Sequence, residues 1–239
     1  ATGTADANGQ WIVPISIAED ATTDLEITAT DRANNISLTS ATASVTHSSA
    51  AADAPEVDDE NPAPTNQPTH VVTGQVTNPG PGITIRINGG AQAAVGTADE
   101  TNGSFSIEVT LQTNTDNLLA VTSLQGDIES PPTNVSITHD DIPPADVDES
   151  AVVVGSPGGL GCAVRGPTNV NGGAGAALEA VQVQMVNATA PSFTSSASVG
   201  ADGSFAGSVG ACAGDIIRLT GVDAAGNTSV NVVEVTVPN

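Results

Sequence analysis

Three short stretches of the chain carry the same signal. TADANGQW near the start returns as TADETNGSF (97–105) and again as VGADGSF (199–205). In each, an Asx/Gly turn precedes an aromatic residue: Trp11, Phe105 and Phe205, spaced 94 and then 100 residues apart. Each turn opens a strand, and the runs after Trp11 and Phe105 alternate clearly. Trp11, Val13, Ile15 and Ile17 fall on one face, as do Phe105, Ile107, Val109 and Leu111. A period of two is the pattern of a half-buried strand. Recurrence at a near-constant interval is the pattern of a tandem array. The chain has only four aromatic residues, so these three are expected as core residues at one structural position.

A second strand follows in each repeat: DLEITATD (24–31), NLLAVTSL (117–124) and DIIRLTGVD (215–223). A tight turn comes next, Asp31-Arg-Ala-Asn34-Asn35 in the first repeat and Asp223-Ala-Ala-Gly226-Asn227 in the third. Asn or Gly at the fourth position suits a left-handed backbone. In the second repeat the turn degenerates to Leu124-Gln-Gly126-Asp127. A last strand, SATASVTH, TNVSITH or VVEVTV, closes each repeat.

The second and third repeats also carry strands before the shared motif. They read HVVTGQV, ITIRIN and AQAAVGT in one, and AVVVG, CAVRG, AVQVQMV and SFTSSASV in the other. About seven short strands in roughly 90 residues, separated by turn signals, predict an antiparallel two-sheet sandwich. The expected fold is all-β, in tandem immunoglobulin-like sandwiches. The first repeat holds only the C-terminal half, residues 1–50, and is expected not to fold alone, because half a sandwich cannot cover its own apolar face. Three explanations stay open for it: an excerpt of a longer array, a cleaved product, or strands supplied by another copy. Residues 51–68 and 142–150 are expected as acidic, proline-rich linkers flanking sandwiches at 69–141 and 151–239. Proline and like charges both extend such segments.

Charge narrows the function. The formal net charge is −23, with four arginines and no lysine. A polyanionic partner needs a cationic surface, so nucleic acid is disfavoured, and anionic membranes with it. Motifs for nucleophilic catalysis, phosphate cradles or dinucleotides are absent from the sequence, and the expected class is not an enzyme. His47, His70 and His139 lack zinc-type spacing and are expected as exposed strand-end residues.

The pattern A-D-x-x-G-x-W/F, alternating strand, then I-T-x-T-A-T-D-x-x-G-N-x-S resembles the bacterial immunoglobulin-like repeats of long surface proteins and adhesins. Here it stands as TADANGQW…LEITATDRANNIS and GADGSF…IRLTGVDAAGNTS. The second repeat keeps TNGSF but has Leu124 in place of the second Asp. The resemblance implies an extracellular, cell-surface protein of stacked sandwiches, adhesive or stalk-like, often rigidified by calcium. Partners are then neighbouring sandwiches or other copies. An accessory carbohydrate-binding module is the alternative, but the repeat aromatics are assigned to core strands and only Phe193 is left to meet a sugar.

Calcium binds six to eight oxygen ligands. The candidate ligands at the junctions are Asp58, Asp59, Glu60, Asp140, Asp141, Asp146, Asp148 and Glu149, with Asp31 and Asp223 in the adjoining turns. The competing reading is a solvated acidic linker, and turn-capping for the two turn aspartates. Cys162 and Cys212, 50 residues apart in the third repeat, are expected to form a disulfide, two buried free thiols being the alternative.

Overall fold

The computed structural model describes residues 1–18, 21–38, 41–47, 53–126, 128–158, 162 and 165–239. It is an all-β structure in which the only helical element among the described residues is a 3-10 turn at Glu149–Ala151.

The second repeat contributes β3 (Glu56–Val57), β4 (Thr69–Gln75), β5 (Thr84–Asn88), β6 (Ala94–Thr97), β7 (Ser104–Thr110), β8 (Thr115–Gln125), β9 (Ile128–Glu129) and β10 (Thr133–His139). They form two antiparallel sheets, β3-β4-β7 and β10-β8-β5-β6, with β9 as a short addition to β8. The third repeat contributes β11 (Val152–Val154), β12 (Gly166–Gly172), β13 (Gln182–Asn187), β14 (Thr194–Ser198), β15 (Phe205–Ala211), β16 (Ile216–Val222) and β17 (Val233–Thr236). Its sheets run β11-β12-β15 and β14-β13-β16-β17. The two topologies coincide strand for strand apart from β9. In both, the fourth strand pairs with the third and leaves the first, second and fifth as a separate sheet. Tandem immunoglobulin-like sandwiches are therefore the fold.

The alternation read from the sequence builds the cores. Ile107, Val109 and Leu111 face inward with Ile85, Ile87, Leu119, Val121, Val135 and Ile137 in the second repeat. Val170, Val183, Met185, Val209, Ile217 and Leu219 do so in the third. Phe105 and Phe205 are 5% and 4% exposed. Each lies on a glycine of the neighbouring strand, Gly74 or Gly172. A Cβ at Gly172 would sit 2.2 Å from the Phe205 ring, and one at Gly74 would sit 2.7 Å from the Phe105 ring. Both glycines leave room for the aromatic.

The first repeat differs from expectation. Among the described residues its strands are the hairpin β1 (Ala21–Ile27) and β2 (Ala41–His47), paired antiparallel from Ala21–His47 to Ile27–Ala41. The segment Trp11–Ile17 is not a strand, and Trp11 is 51% exposed rather than core. The reason is topological. In the complete sandwiches the aromatic strands β7 and β15 pair with β4 and β12, and residues 1–47 hold no counterpart of those. The hairpin survives because β1 and β2 correspond to β16 and β17, which pair with each other.

Two further expectations change. In the third repeat the expected strand Cys162–Gly166 meets β12 only at Gly166; Cys162 and Arg165 are not in a strand, and residues 163 and 164 lie outside the described ones. The inward positions of β12 are Thr168, Val170 and Gly172, a weak apolar signal. His139 is 3% exposed rather than surface-lying, because its Nδ1 accepts the backbone N–H of Asn114 at 3.1 Å.

Candidate domain junction

The turn Asp223–Asn227 is built by its own side chains. The Asp223 N–H donates to the Asn227 carbonyl at 3.0 Å, and Asp223 Oδ1 accepts the Asn227 N–H at 2.8 Å. Gly226 closes it at φ 90°. The first repeat uses the same device: Asp31 Oδ1 accepts from Ala33 and Asn35, and Asn34 takes φ 67°. A left-handed fourth residue is what the sequence predicted.

A serine after the turn repeats three times. Ser37, Ser130 and Ser229 each donate a backbone N–H to the carbonyl of Ala29, Ser123 and Gly221, at 2.8–2.9 Å. Each Oγ accepts the N–H of that same residue, at 3.1, 2.9 and 3.1 Å. The hydroxyl replaces a ladder carbonyl where the chain leaves the strand.

In the third repeat the Asn227 amide does more. One Nδ2 hydrogen serves Asp223 Oδ2 at 2.9 Å. The amide also reaches the carbonyls of Asp140 at 2.8 Å and Ile142 at 3.3 Å. Asn227 is 9% exposed, so these are partly desolvated bonds. Asp146 is gripped by Asn231, whose N–H and Nδ2 donate to its two carboxylate oxygens at 2.8 and 2.6 Å. The Asn231 side-chain and backbone bonds hold the Asp146 carboxyl below the usual carboxylate range. Asp148 caps the 3-10 turn through Ser150 at 2.9 Å, and its N–H donates to Ala176 at 2.8 Å.

The other end of this segment belongs to the second sandwich. The Asp140 N–H donates to the Thr65 carbonyl at 3.0 Å, and the Asp141 N–H donates to Asn114 Oδ1 at 2.8 Å. Residues 140–148 are thus hydrogen-bonded from one sandwich to the next. The acidic segment 53–68 also lies on a sandwich. β3 pairs with β4, Ser123 Oγ donates to the Asp53 carbonyl at 3.0 Å, Ser136 N–H donates to the Glu60 carbonyl at 2.8 Å, and Thr65 N–H donates to Thr138. The preceding residues 48–52 lie outside the described ones.

The calcium candidates do not converge. Among the described residues no group of three or more His, Cys, Asp or Glu side chains could hold a metal ion. Asp146 and Asp223 already accept from asparagine amides, Asp59 accepts from Asn61, and Asp140 Oδ1 accepts from Ile142. These four carboxylates serve as turn and cap acceptors. Cys162 is exposed and Cys212 buried, both as free thiols rather than a disulfide. Phe193 packs against Gly210 with the Arg165 guanidinium 6.0 Å from its ring centre, so it is covered on two sides.

Sequence reasoning missed the asparagines. Asn227 and Asn231 do the gripping, and their signal, N-x-S-x-N, was legible only as a turn.

No family model matches the chain, and no curated protein matches it. Among solved structures it resembles a Ca2+-stabilized, ice-binding adhesin of an Antarctic bacterium, with 22% identity, TM-score 0.40, and 91% of this chain and 56% of that one covered. A 1.5-MDa bacterial ice-binding adhesin gives 18% identity and TM-score 0.41, over 92% of this chain and 74% of that one. A tetra-tandem repeat from the extending region of a large adhesion protein gives 18% and 0.32, over 99% and 62%. The chain thus spans little more than half the length of the first of these.

Proposed function

We propose that this chain is part of an extracellular structural or adhesive protein, in which tandem sandwiches form a stalk, filament or surface layer. The carrying observation is the segment 140–148, held by Thr65 and Asn114 on one side and by Asn227, Asn231 and Ala176 on the other. A tether that merely joined two domains would leave its backbone groups to water. Here the backbone is paired on both sides, which fixes the angle between neighbours and lets a row of sandwiches carry load. No catalytic role is part of this reading.

Calcium enters as a second lock. The chain's charge of −23 draws divalent cations, and Asp58, Asp59 and Glu60 in one acidic segment and Asp140, Asp141, Asp148 and Glu149 in the other supply carboxylates. Small-angle scattering with and without EDTA tests it. Increased bending on chelation assigns calcium to the junction; an unchanged profile leaves the hydrogen bonds as the coupling.

Residues 1–47 take their missing strands from a neighbouring sandwich segment. The two complete sandwiches of a second copy have every strand already paired, so a second copy would have to open one of them to donate. An open cleft lined by Ala29, Thr30, Asp31, Asn35, Ile36 and Ser37 stands where the third sandwich holds residues 140–146. Asn35 Nδ2 donates to Asp31 Oδ2 at 2.9 Å, as Asn227 does to Asp223, which leaves its second hydrogen for an incoming carbonyl.

A further inference from the structure

Each complete sandwich receives an extended segment at the same place, and in the first repeat that place is bare among the described residues. The matching bonds of Ser37, Ser130 and Ser229 make Ala29, Ser123 and Gly221 equivalent positions. In the second sandwich Ser123 Oγ donates to the Asp53 carbonyl at 3.0 Å, and Thr133 Oγ1 donates to the Pro55 carbonyl at 2.5 Å. In the third, the Ala145 carbonyl oxygen lies 3.6 Å from where a Cβ on Gly221 would sit, and the Asn227 amide takes the Asp140 carbonyl at 2.8 Å. Both segments bury a proline, Pro55 in one and Pro144 in the other, between more exposed neighbours. Both also tie an aspartate to a neutral amide: Asn78 Nδ2 donates to Asp53 at 2.8 Å, and Asn231 Nδ2 donates to Asp146 at 2.6 Å. The chain's acidity therefore does not keep such a segment off.

We propose that the cleft between Ala29 and Ser37 is the seat for an extended, proline-bearing segment of the 140–148 type, carried by a neighbouring sandwich. One backbone carbonyl of that segment sits on the Asn35 amide, and its proline packs against Ala29 and Ile36. The proposal rests on the reading of residues 1–47 as completed by a neighbour, and it names what that neighbour presents. The receiving turn is already built. Asn35 bonds Asp31 through its N–H at 2.9 Å and its Nδ2 at 2.9 Å, as Asn227 bonds Asp223 at 2.8 and 2.9 Å. The occupant also fits. A Cβ at Gly221 would make ordinary van der Waals contact with the Ala145 carbonyl, so a carbonyl can lie over Ala29 with its methyl in place. Proline holds such a segment extended beforehand, so docking it costs little conformational entropy.

The test uses the full 15N-labelled chain, titrated to millimolar concentration with an unlabelled synthetic peptide of residues 140–149. The third sandwich's own segment keeps its seat filled, because a tethered segment outcompetes a free one. The expected result is saturable amide shifts confined to residues 29–37, largest at the Asn35 side chain. Pro144→Asp in the peptide should weaken binding at least about tenfold, since it puts a charge where the proline is buried. Asn35→Ala in the chain should weaken it about tenfold; because that change also touches the turn, the peptide variant tests the seat with the protein unaltered. No shifts at residues 29–37, or equal binding of the Pro144→Asp peptide, would overturn the proposal. Either result would leave the tandem reading standing, since that is judged by how the two complete sandwiches tumble.

Discussion

The side-chain amide of Asn227 donates to the backbone carbonyl of Asp140 across 2.8 Å. A turn of the third sandwich thereby grips the segment leaving the second. Because the same amide also bonds Asp223, removing it opens turn and junction together. Asn227→Ala should destabilise the third sandwich by about 1–2 kcal/mol and broaden the distance distribution in small-angle scattering. Asn231→Ala should loosen the junction while leaving the turn intact. An unbroadened distribution in the double variant would count against the hydrogen-bonded coupling.

Gly172 faces Phe205 so closely that a Cβ would lie 2.2 Å from its ring. Gly172→Ala should cost about 1–3 kcal/mol through overpacking, read as a fall in chemical-denaturation midpoint. Pairing it with Phe205→Leu should recover part of that loss. Equal losses in the single and double variants would mean the glycine serves backbone conformation, not packing.

Thr168 Oγ1 is buried without a hydrogen-bond partner. Burying an unpaired hydroxyl is unfavourable, so Thr168→Val should stabilise the third sandwich by about 1 kcal/mol. Differential scanning calorimetry checks this; a lower melting temperature would place an unseen partner at the hydroxyl.

Asp215 sets an acid limit. Burial pushes its carboxyl up, but the bonds from Asn187 and Arg165 outweigh that and hold it below the usual range. The folded state therefore binds this proton less readily than the unfolded one. Its contribution is complete above the unfolded carboxyl pKa of about 4 and is lost as pH falls through the lower folded value. Asp215→Asn should flatten the acid limb of a melting-temperature profile; an unchanged limb would assign acid loss to other carboxylates.

Residues 1–47 should exchange amide hydrogens faster than either complete sandwich, because among the described residues β1 and β2 have no opposing sheet and Trp11 is half exposed. Equal protection would show that the hairpin is covered in solution.

Much of this architecture is legible in the sequence, for local reasons. Alternation at Phe105–Leu111 gives a strand because one face is buried, and Asp-x-x-Gly/Asn gives a turn because the carboxylate pairs with nearby N–H groups. Pairing partners are not local. Trp11 carries the same pattern as Phe105, yet it stays half exposed because no Gly74-type strand lies beside it among the described residues. The acidic segments read as solvated tethers because composition reports charge. It does not report that Thr65 and Asn227 occupy the backbone of residues 138–142. Carboxylate counts likewise do not report that asparagine amides engage Asp146 and Asp223.

The central claim is that residues 140–148 make the second and third sandwiches one mechanical unit. Backbone 15N relaxation on the full chain tests it most directly, since it reports how each sandwich tumbles. The account predicts one shared rotational correlation time for residues 69–139 and 152–236, with order parameters in 140–148 as high as in the strands. Two separate, shorter correlation times with a mobile 140–148 would contradict it.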